Sequence, residues 1–323
     1  MKTWEELNLI TSIRKRTGHH NHGLLRGIGD DTAVVRKPVR ENLLYTVDSI
    51  VDGIHFLGEL NLWESAGKRA IGAATSDIAA MGGVPQYALL SMFLPRSFPG
   101  KHIDAFLRGF LTRTRSYGMS LIGGNITTMN GKFAADTVVI GRTQQGIFVG
   151  RNGARIGDVV CMAGVTGEAM AGLDLLKSGK KNRYPGLVRR YLEPAPMLRE
   201  SLRIVRGMSP HAMIDVSDGL LQDLMHIAEE SGVGVKLDLD CVPVSRAAEQ
   251  TARLMNKSPY DYILTGGDDY VLVFTVPENR FKARVDGTRI YALGRVTRTR
   301  GIRFYKNGKK TNLNLKQFGY THR

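Results

Sequence analysis

Cysteine, tryptophan and long apolar runs are scarce in this chain. Its 323 residues include 2 cysteines and 2 tryptophans, and aromatic residues make up 7% of the total. Cys161 and Cys241 form no CxxC pair, so neither a disulfide framework nor a zinc knuckle is predicted, and we expect both to be small buried side chains. Asp, Arg or Gly interrupts every apolar run before the ~20 residues that a membrane span needs. No secretory leader pattern is present, so we expect a cytoplasmic protein without membrane contact.

Several well-known binding motifs are also missing. The sequence has no Walker A motif and no kinase-type glycine loop with its HRD motif, so a phosphoryl transferase would need another scaffold. The formal net charge is +15, from 45 basic and 30 acidic residues. No helix-turn-helix, zinc-finger or RNA-reading signature accompanies this charge, which indicates a solvated basic surface and no nucleic-acid partner. The histidines at 19, 20 and 22 lack a helical frame and predict a loop rather than a metal site.

The length favours two domains over one. Strand-like and helical segments mix without strict β-α alternation, which predicts an α+β fold. The turn-rich segment GRNGARIGD, which begins at Gly150, separates two such patterns, and we place the domains at residues 1–148 and 149–323. Helices are predicted at 63–81 and 103–117, and the proline-containing stretch near Pro185 is predicted to be a loop.

Carboxylates in apolar or glycine-rich surroundings carry the chemical information in this basic chain. They are Asp30, Asp31, Asp48, Asp77, Asp215, Asp218, Asp268 and Asp269. Each alone has a structural explanation, such as an ion pair or a helix cap. Together they would repel one another unless they are protonated or bridged by cations. Oxygen donors with few histidines and no nearby cysteine favour Mg²⁺ or Mn²⁺, and their number suggests several ions around a polyphosphate.

Two further features fit a phosphate ligand. A helix predicted to begin at SDGLL, from Ser217, would present free N–H groups to a phosphate that carries Mg²⁺. The Gly-Gly pairs at Gly124 and Gly267 would let the backbone approach a ligand, although such pairs usually mark turns. In a strand, Asp30 and Asp31 would point to opposite faces, so both could not serve one site equally.

The order of seven motifs carries a specific family resemblance. GIGDD, TVDSIVDGIHF, SDIAAMGG, GGN, GRNGARIGD, DVSDGLLQDL and TGGDDY follow one another along the chain. From about residue 25 to the C-terminus, this order resembles the thiamine-monophosphate kinases of the PurM-like superfamily. The resemblance implies a two-domain α+β PurM-like fold of mixed sheets flanked by helices, with metal and ATP sites in the N-terminal domain, whose sheet forms a barrel in a homodimer. It also implies ATP bound between the domains, several Mg²⁺ ions, and direct transfer of the γ-phosphoryl group to thiamine monophosphate without a catalytic side chain.

The resemblance also assigns residues to three tasks. It implies the metal ligands Asp31, Thr46, Asp48, Asp77, Asn125, Asp215 and Asp218; the ATP contacts Gly124, Asn125, Arg151 and Ser217; and the thiamine-phosphate contacts His55, Asp268 and Phe318. The chain departs from the commonest family wording at Asn125, where Asp is frequent, and at Asp268 and Val271, where Glu is frequent. Two alternatives stay open: a PurM-like enzyme that acts on another phosphorylated or carboxylated acceptor, and a non-catalytic nucleotide-binding protein.

Overall fold

A computed structural model describes residues 12–13, 15–16, 24–26, 34–35, 42–60, 62–144 and 146–313. The chain divides into two compact units, Met1–Ile78 with Gly83–Ile147, and Ala79–Gly82 with Phe148–Arg323. Each unit combines a mixed sheet with helices, as the sequence predicts for an α+β fold. The roles assigned to the two domains stay predictions. Asp30, Asp31, Phe318 and the histidines at 19–22 lie outside the described residues.

The first unit contains a four-stranded sheet. Two short antiparallel strands precede it, β1 (Leu24–Arg26) and β2 (Val34–Val35). The sheet consists of β3 (Leu43–Val51), β4 (Val84–Pro95), β5 (Ser120–Met129) and β6 (Ala134–Arg142) in the order β3-β6-β4-β5. The β4–β5 pair is parallel and the other pairs are antiparallel. Side chains alternate between the two faces of each strand, so one face carries the core and the other is open.

Two helices cover the core face of this sheet, α1 (Trp63–Ala80) and α2 (Gly100–Ser116). They cross closely because each has a glycine where the other's backbone passes. A Cβ on Gly67 would lie 2.0 Å from the Phe106 carbonyl oxygen, and a Cβ on Gly109 would lie 1.9 Å from that of Glu64. A 3-10 helix at Gly58–Leu60 precedes α1. The core between sheet and helices includes Ile50, Ile71, Leu90, Phe106 and Val139.

The second unit contains an eight-stranded mixed sheet. Its strands are β7 (Val159–Ala163), β8 (Ala212–Asp215), β9 (Gly234–Asp238), β10 (Leu272–Val276), β11 (Arg284–Val285), β12 (Thr288–Thr297), β13 (Gly301–Lys306) and β14 (Lys309–Thr311). The order is β14-β13-β9-β12-β7-β10-β8, and β11 pairs with β12. Every residue of β7 is buried, because Val160 and Met162 enter one core and Val159, Cys161 and Ala163 enter the other. A sheet covered on both faces explains this continuous apolar run.

Helices lie on both faces of the larger sheet. They are α3 (Glu168–Lys177), α4 (Pro185–Leu192), α5 (Leu198–Met208), α6 (Leu220–Glu230), α7 (Arg246–Leu254) and α8 (Pro259–Ile263), with 3-10 helices at Leu239–Cys241 and Glu278–Arg280. Leu224 and Ile227 of α6 pack into one core, and Ile204 and Met208 of α5 pack into the other.

Three expectations need correction. The stretch predicted to be a loop near Pro185 forms α4, with the proline in its first turn, where its missing N–H costs no helical hydrogen bond. The helix predicted to begin at Ser217 begins at Leu220. Cys161 is buried as expected, but Cys241 is exposed. As for membranes, none of the helices in the described residues combines the length and apolar character of a membrane span.

Candidate functional site

Thr46 and Asp77 form the central contact of the first unit's carboxylate cluster. Thr46 lies on β3 and Asp77 lies in the last turn of α1, and both are partly buried. Thr46 Oγ1 donates a hydrogen bond of 2.5 Å to Asp77 Oδ2. Asp48 lies two residues further along β3, so its side chain shares the face of Thr46. The structure therefore brings three of the predicted metal ligands, two from a strand and one from a helix, onto the same side of one sheet.

A buried hydroxyl lies opposite Asp48. Thr137 of β6 is its cross-strand partner and is fully buried, and its Oγ1 has no hydrogen-bond partner among the described residues. Leu90 of β4 and then Gly124 of β5 continue the same row of the sheet. A Cβ on Gly124 would lie 1.8 Å from the Leu90 carbonyl oxygen. The close passage of β4 is thus enough to require glycine at this position.

Asn125 faces away from this row. The next residue, Ile126, packs against the core, so Asn125 and Thr127 lie on the opposite, open face. Asn125 Nδ2 donates to Thr127 Oγ1 at 3.2 Å. Strands β6 and β4 separate β5 from β3, a distance of roughly 14 Å at normal strand spacing. The structure therefore places Asn125 apart from the Thr46–Asp77 pair.

His55 lies in the turn that follows β3. Its Nδ1 accepts a hydrogen bond of 3.0 Å from the Val51 N–H, so Nδ1 carries no proton and a neutral ring carries its proton on Nε2. The Asp52 carboxylate braces the same turn by accepting the Gly58 N–H at 2.8 Å. Phe56 anchors it to the core through an edge contact with Trp63, with 5.2 Å between ring centroids. This turn holds the imidazole in a defined tautomer at the end of the strand that carries Thr46.

The second unit has its own carboxylate cluster where β8 leads into α6. Asp215 ends β8 and is 2% exposed, and Ser217 and Asp218 follow in the connecting loop. Asp223 lies in the first turn of α6 and is also 2% exposed. Its Oδ2 accepts the N–H groups of Ser217, Asp218 and Gly219 at 3.1, 3.2 and 3.1 Å. These three N–H groups, which we expected to be free for a phosphate, already have a partner within the protein.

Electrostatic repulsion is concentrated in this cluster. Burial, together with the nearby charges of Asp215 and Asp218, raises the pKa of Asp223 to about 8, although its backbone hydrogen bonds act in the opposite direction. Asp218, Asp223 and His226 each offer a ligand atom, and these atoms all lie within 4.8 Å of one another. Gln222 Nε2 donates to Asp218 Oδ2 at 3.3 Å. A cation beside these carboxylates would relieve their repulsion.

The adjacent acids Asp268 and Asp269 have different surroundings. The Asp269 carboxylate accepts the N–H groups of Gly167 and Ala169 at 2.5 and 2.9 Å, at the start of α3. Burial raises the pKa of Asp269 to about 7. Both residues are partly buried, and Asp268 Oδ1 accepts a hydrogen bond of 3.2 Å from the Tyr270 hydroxyl. Asp269 therefore anchors the loop to the start of α3, whereas the Asp268 carboxylate contacts a side chain of its own loop.

The two acidic loops of the second unit are bonded to each other. The Asp268 N–H donates to the Ser217 carbonyl, and the Tyr270 N–H donates to the Val216 carbonyl, each at 2.8 Å. Asp268 and Tyr270 both have positive φ, 68° and 51°, a conformation that costs energy for residues other than glycine. A Cβ on Gly267 would lie 2.2 Å from the Ser217 carbonyl oxygen. Close contact between the two loops therefore explains why glycine is at position 267, and no approach to a ligand is needed to explain it.

Two other positions singled out in the sequence have simpler surroundings. Val271 is 6% exposed and belongs to the core on the α6 face. Its substitution for the frequent Glu therefore changes packing rather than the lining of an open site. Arg151 is exposed, and its carbonyl accepts a hydrogen bond of 3.0 Å from the Ser231 hydroxyl. Its predicted contact with ATP stays a prediction.

Sequence reasoning missed Asp223, His226 and Thr137. For Asp223 a signal was present: residues 220, 224 and 227 form an apolar stripe of α6, and 223 belongs to the same stripe at helical spacing. An acid on such a stripe is buried and needs partners. Thr137 gave no such signal, because its position opposite Asp48 depends on the pairing of two distant strands.

Comparisons with known proteins cover both units of the chain. The family described as AIR synthase related protein, N-terminal domain, matches residues 29–143, and its C-terminal domain matches residues 155–307. A thiamine-monophosphate kinase of Aquifex aeolicus is 35% identical over 96% of both chains. The crystal structure of the enzyme from Stenotrophomonas maltophilia K279a is 31% identical, covers 94% of this chain and 96% of its own, and has a TM-score of 0.80.

A third relative was solved with ligands. The structure described as AaThiL complexed with AMPPCP and TMP is 32% identical to this chain. It covers 99% of this chain and 100% of its own, with a TM-score of 0.78. With both domains matched and identity above 30% over the full length, the chain belongs to the thiamine-monophosphate kinase family of the PurM-like, AIR synthase related proteins.

Proposed function

We propose that this protein is an ATP-dependent kinase that converts thiamine monophosphate to thiamine diphosphate. The observation that supports this most directly is its likeness to AaThiL, which was solved with AMPPCP and TMP and matches the whole chain. The two carboxylate clusters add chemical support, because transfer between two anionic phosphates requires neutralisation of charge more than it requires a nucleophilic side chain.

The residues present suit Mg²⁺. In the first unit, Thr46, Asp48 and Asp77 supply hydroxyl and carboxylate oxygens on one face of a sheet, and within the described part of the chain the buried Thr137 hydroxyl beside them has no hydrogen-bond partner. In the second unit, Asp215 and Asp218 repel a third buried carboxylate. Such oxygen donors are those that Mg²⁺ prefers. When bound, Mg²⁺ would neutralise phosphate charge and so make the γ-phosphoryl group easier to attack.

The residues divide into three groups under this proposal. Metal binding is assigned to Thr46, Asp48, Asp77, Asp215 and Asp218, with Asp31 as a further predicted ligand; ATP contacts to Gly124, Arg151 and Ser217; and acceptor contacts to His55, Asp268 and Phe318. Asn125, which lies on the opposite face of the first sheet from Thr46 and Asp77, stays a prediction of the sequence for metal and ATP. In the reaction, an oxygen of the thiamine phosphate forms a bond to the γ-phosphorus as the bond to the β–γ bridging oxygen breaks. ADP leaves with that bridging oxygen, so no covalent enzyme intermediate and no proton-accepting side chain are needed.

An acceptor screen tests the proposal. Purified protein with ATP and Mg²⁺ should release ADP on addition of thiamine monophosphate, and a stoichiometric amount of thiamine diphosphate should form. Thiamine, other phosphate monoesters and small carboxylic acids serve as comparison acceptors. Turnover with one of these and none with thiamine monophosphate would refute the proposal in favour of another acceptor. Binding of ATP with no turnover on any acceptor would favour the non-catalytic alternative.

We also propose that the protein works as a homodimer through the open face of the first sheet. Tyr45 and Val47 on β3 are 67% and 63% exposed, and partly exposed Val138, Ile140 and Leu89 neighbour them on β6 and β4. A continuous apolar sheet face of this kind is costly to leave in water. A second copy of the same face would cover it.

A further inference from the structure

Three consecutive backbone N–H groups converge on one carboxylate oxygen in the second unit. Asp223 Oδ2 accepts from residues 217, 218 and 219 at 3.1, 3.2 and 3.1 Å. The Asp223 side chain is 2% exposed, so these bonds lie away from water. Three hydrogen bonds that converge on one buried oxygen define the shape of the loop.

The same loop is bonded on its carbonyl side. The Val216 and Ser217 carbonyls accept the N–H groups of Tyr270 and Asp268, each at 2.8 Å. Gly219 cannot be replaced without strain, because its φ is 124° and a Cβ would lie 2.9 Å from the Thr265 carbonyl. The N–H groups of residues 217–219 therefore have internal acceptors, and the side chains of Ser217 and Asp218 remain partly exposed.

We propose that Asp223 is a positioning residue, which fixes the loop of residues 217–219 so that it offers side chains, and not backbone N–H groups, to the nucleotide and its metal. This inference rests on the proposed function for the identity of the ligand. It reverses the usual role of a helix N-terminus, which binds phosphate through free N–H groups. Here the Asp223 carboxylate accepts the N–H groups that would otherwise bind a phosphate. A phosphate group would therefore bind this loop only through a cation held by Asp218.

Amide hydrogen exchange on the wild-type protein tests the inference directly. We expect the amides of residues 217–219 to exchange slowly without ligand, and to gain little protection when Mn²⁺ and AMPPCP are added. The reason is that Asp223 already holds the three hydrogens. Fast exchange in the free protein, with protection only after nucleotide is added, would mean that these amides bind phosphate and would overturn the inference.

Asp223→Asn separates positioning from direct ligation. Asparagine has one acceptor oxygen and an NH₂ donor where the carboxyl group of Asp223 has two oxygens, so the three amides should exchange about tenfold faster or more. The apparent Kd for Mn²⁺ in the presence of AMPPCP, measured by electron paramagnetic resonance, should rise by about 10- to 100-fold, as expected when a metal ligand loses its support. Loss of Mn²⁺ binding while exchange stays slow would make Asp223 itself a ligand and would overturn the positioning role.

Asp261→Asn is the matched control. Asp261 also accepts a backbone N–H at a helix start, from Ser258 at 3.2 Å, but it takes no part in the proposed site, so Mn²⁺ binding should stay at the wild-type value. If Asp223→Asn does not fold, exchange in the wild-type protein decides alone. Neither measurement uses an acceptor, so failure to phosphorylate thiamine monophosphate would refute the proposed function and leave this inference standing.

Discussion

Thr46 and Asp77 join a strand to a helix through a hydrogen bond of 2.5 Å from Thr46 Oγ1 to Asp77 Oδ2. The two residues are 31 positions apart in the chain, and both belong to the predicted metal ligands. We expect Asp77→Asn to lower turnover by roughly 100-fold or more, the scale on which loss of one charge-stabilising group acts in other enzymes. ADP release at saturating ATP and thiamine monophosphate measures the effect.

Asp174→Asn is the control for that change. Asp174 forms a similar contact in the second unit, where the Tyr262 hydroxyl donates to its Oδ2 at 2.5 Å, and it has no part in the proposed chemistry. Its turnover should stay near the wild-type rate. An unchanged rate for Asp77→Asn, in protein whose circular dichroism matches the wild type, would exclude Asp77 as a metal ligand.

The hydroxyl of Thr46 has an effect of its own. Thr46→Val keeps the shape of the side chain but removes the donor to Asp77, whereas Thr46→Ser keeps the donor. We expect the valine variant to need about 10- to 100-fold more Mg²⁺ for half-maximal rate, because the carboxylate loses its orienting partner. The serine variant should need nearly the wild-type amount. Equal Mg²⁺ dependence in the two variants would show that the hydroxyl does not act on metal binding.

The crossing of α1 and α2 predicts a stability effect far from the chemistry. In Gly67→Ala the new methyl group would lie 2.0 Å from the Phe106 carbonyl oxygen, so the helices must separate. We expect a loss of about 1–3 kcal/mol in the free energy of unfolding, despite the gain of about 1 kcal/mol in helix propensity. Urea denaturation measures the change.

Gly186→Ala is the matched control, because Gly186 of α4 has open space where the methyl group would go. That variant should be more stable than the wild type by about 0.5–1 kcal/mol. Equal effects of the two substitutions would mean that the close helix crossing contributes nothing to stability.

The local sequence pattern predicts the helices and strands better than it predicts which of them contact one another. The apolar and polar alternation of β3 places Thr46 and Asp48 on one face, and this parity requires no knowledge of the rest of the fold. The same rule separates Asn125 from them, but only once Ile126 is known to face the core. The start of α6 at Leu220 was also not predicted. It depends on the hydrogen bond from the Gly219 N–H to the Asp223 carboxylate, which the SDGLL sequence alone does not indicate. Thr137 required the register of two strands about 90 residues apart.

The open face of the first sheet predicts the oligomeric state. Wild-type protein should elute in size-exclusion chromatography with light scattering at twice the 35.6 kDa mass of the chain. Val47→Asp places a charge where Val47 is 63% exposed, and it should give monomers because the buried charge would lack a partner. Val244→Asp is the control, at a position that is 46% exposed in the second unit. A monomeric wild type, or dimers of Val47→Asp, would refute this interface.

Asp269 predicts a pH dependence of stability. Its partly buried carboxylate accepts the N–H groups of Gly167 and Ala169. Burial is the largest cause that raises its pKa to about 7, nearby Glu168 and Asp268 add to the rise, and the two N–H groups oppose it. In the unfolded chain the group has its ordinary value near 4. Between pH 4 and pH 7 the folded protein therefore holds a proton that the unfolded chain has lost.

The sign of the effect follows from that proton. The stability that Asp269 contributes is fully present below pH 4 and is lost as the pH rises through 7, a change on the order of 4 kcal/mol. Asp269→Asn lacks this titration and keeps every other ionisable group. Urea denaturation of both proteins at pH 5, 6, 7 and 8 should show the wild type losing stability relative to the variant as the pH rises. A constant difference across this range would mean that Asp269 is ionised throughout, and that its two N–H partners outweigh its burial.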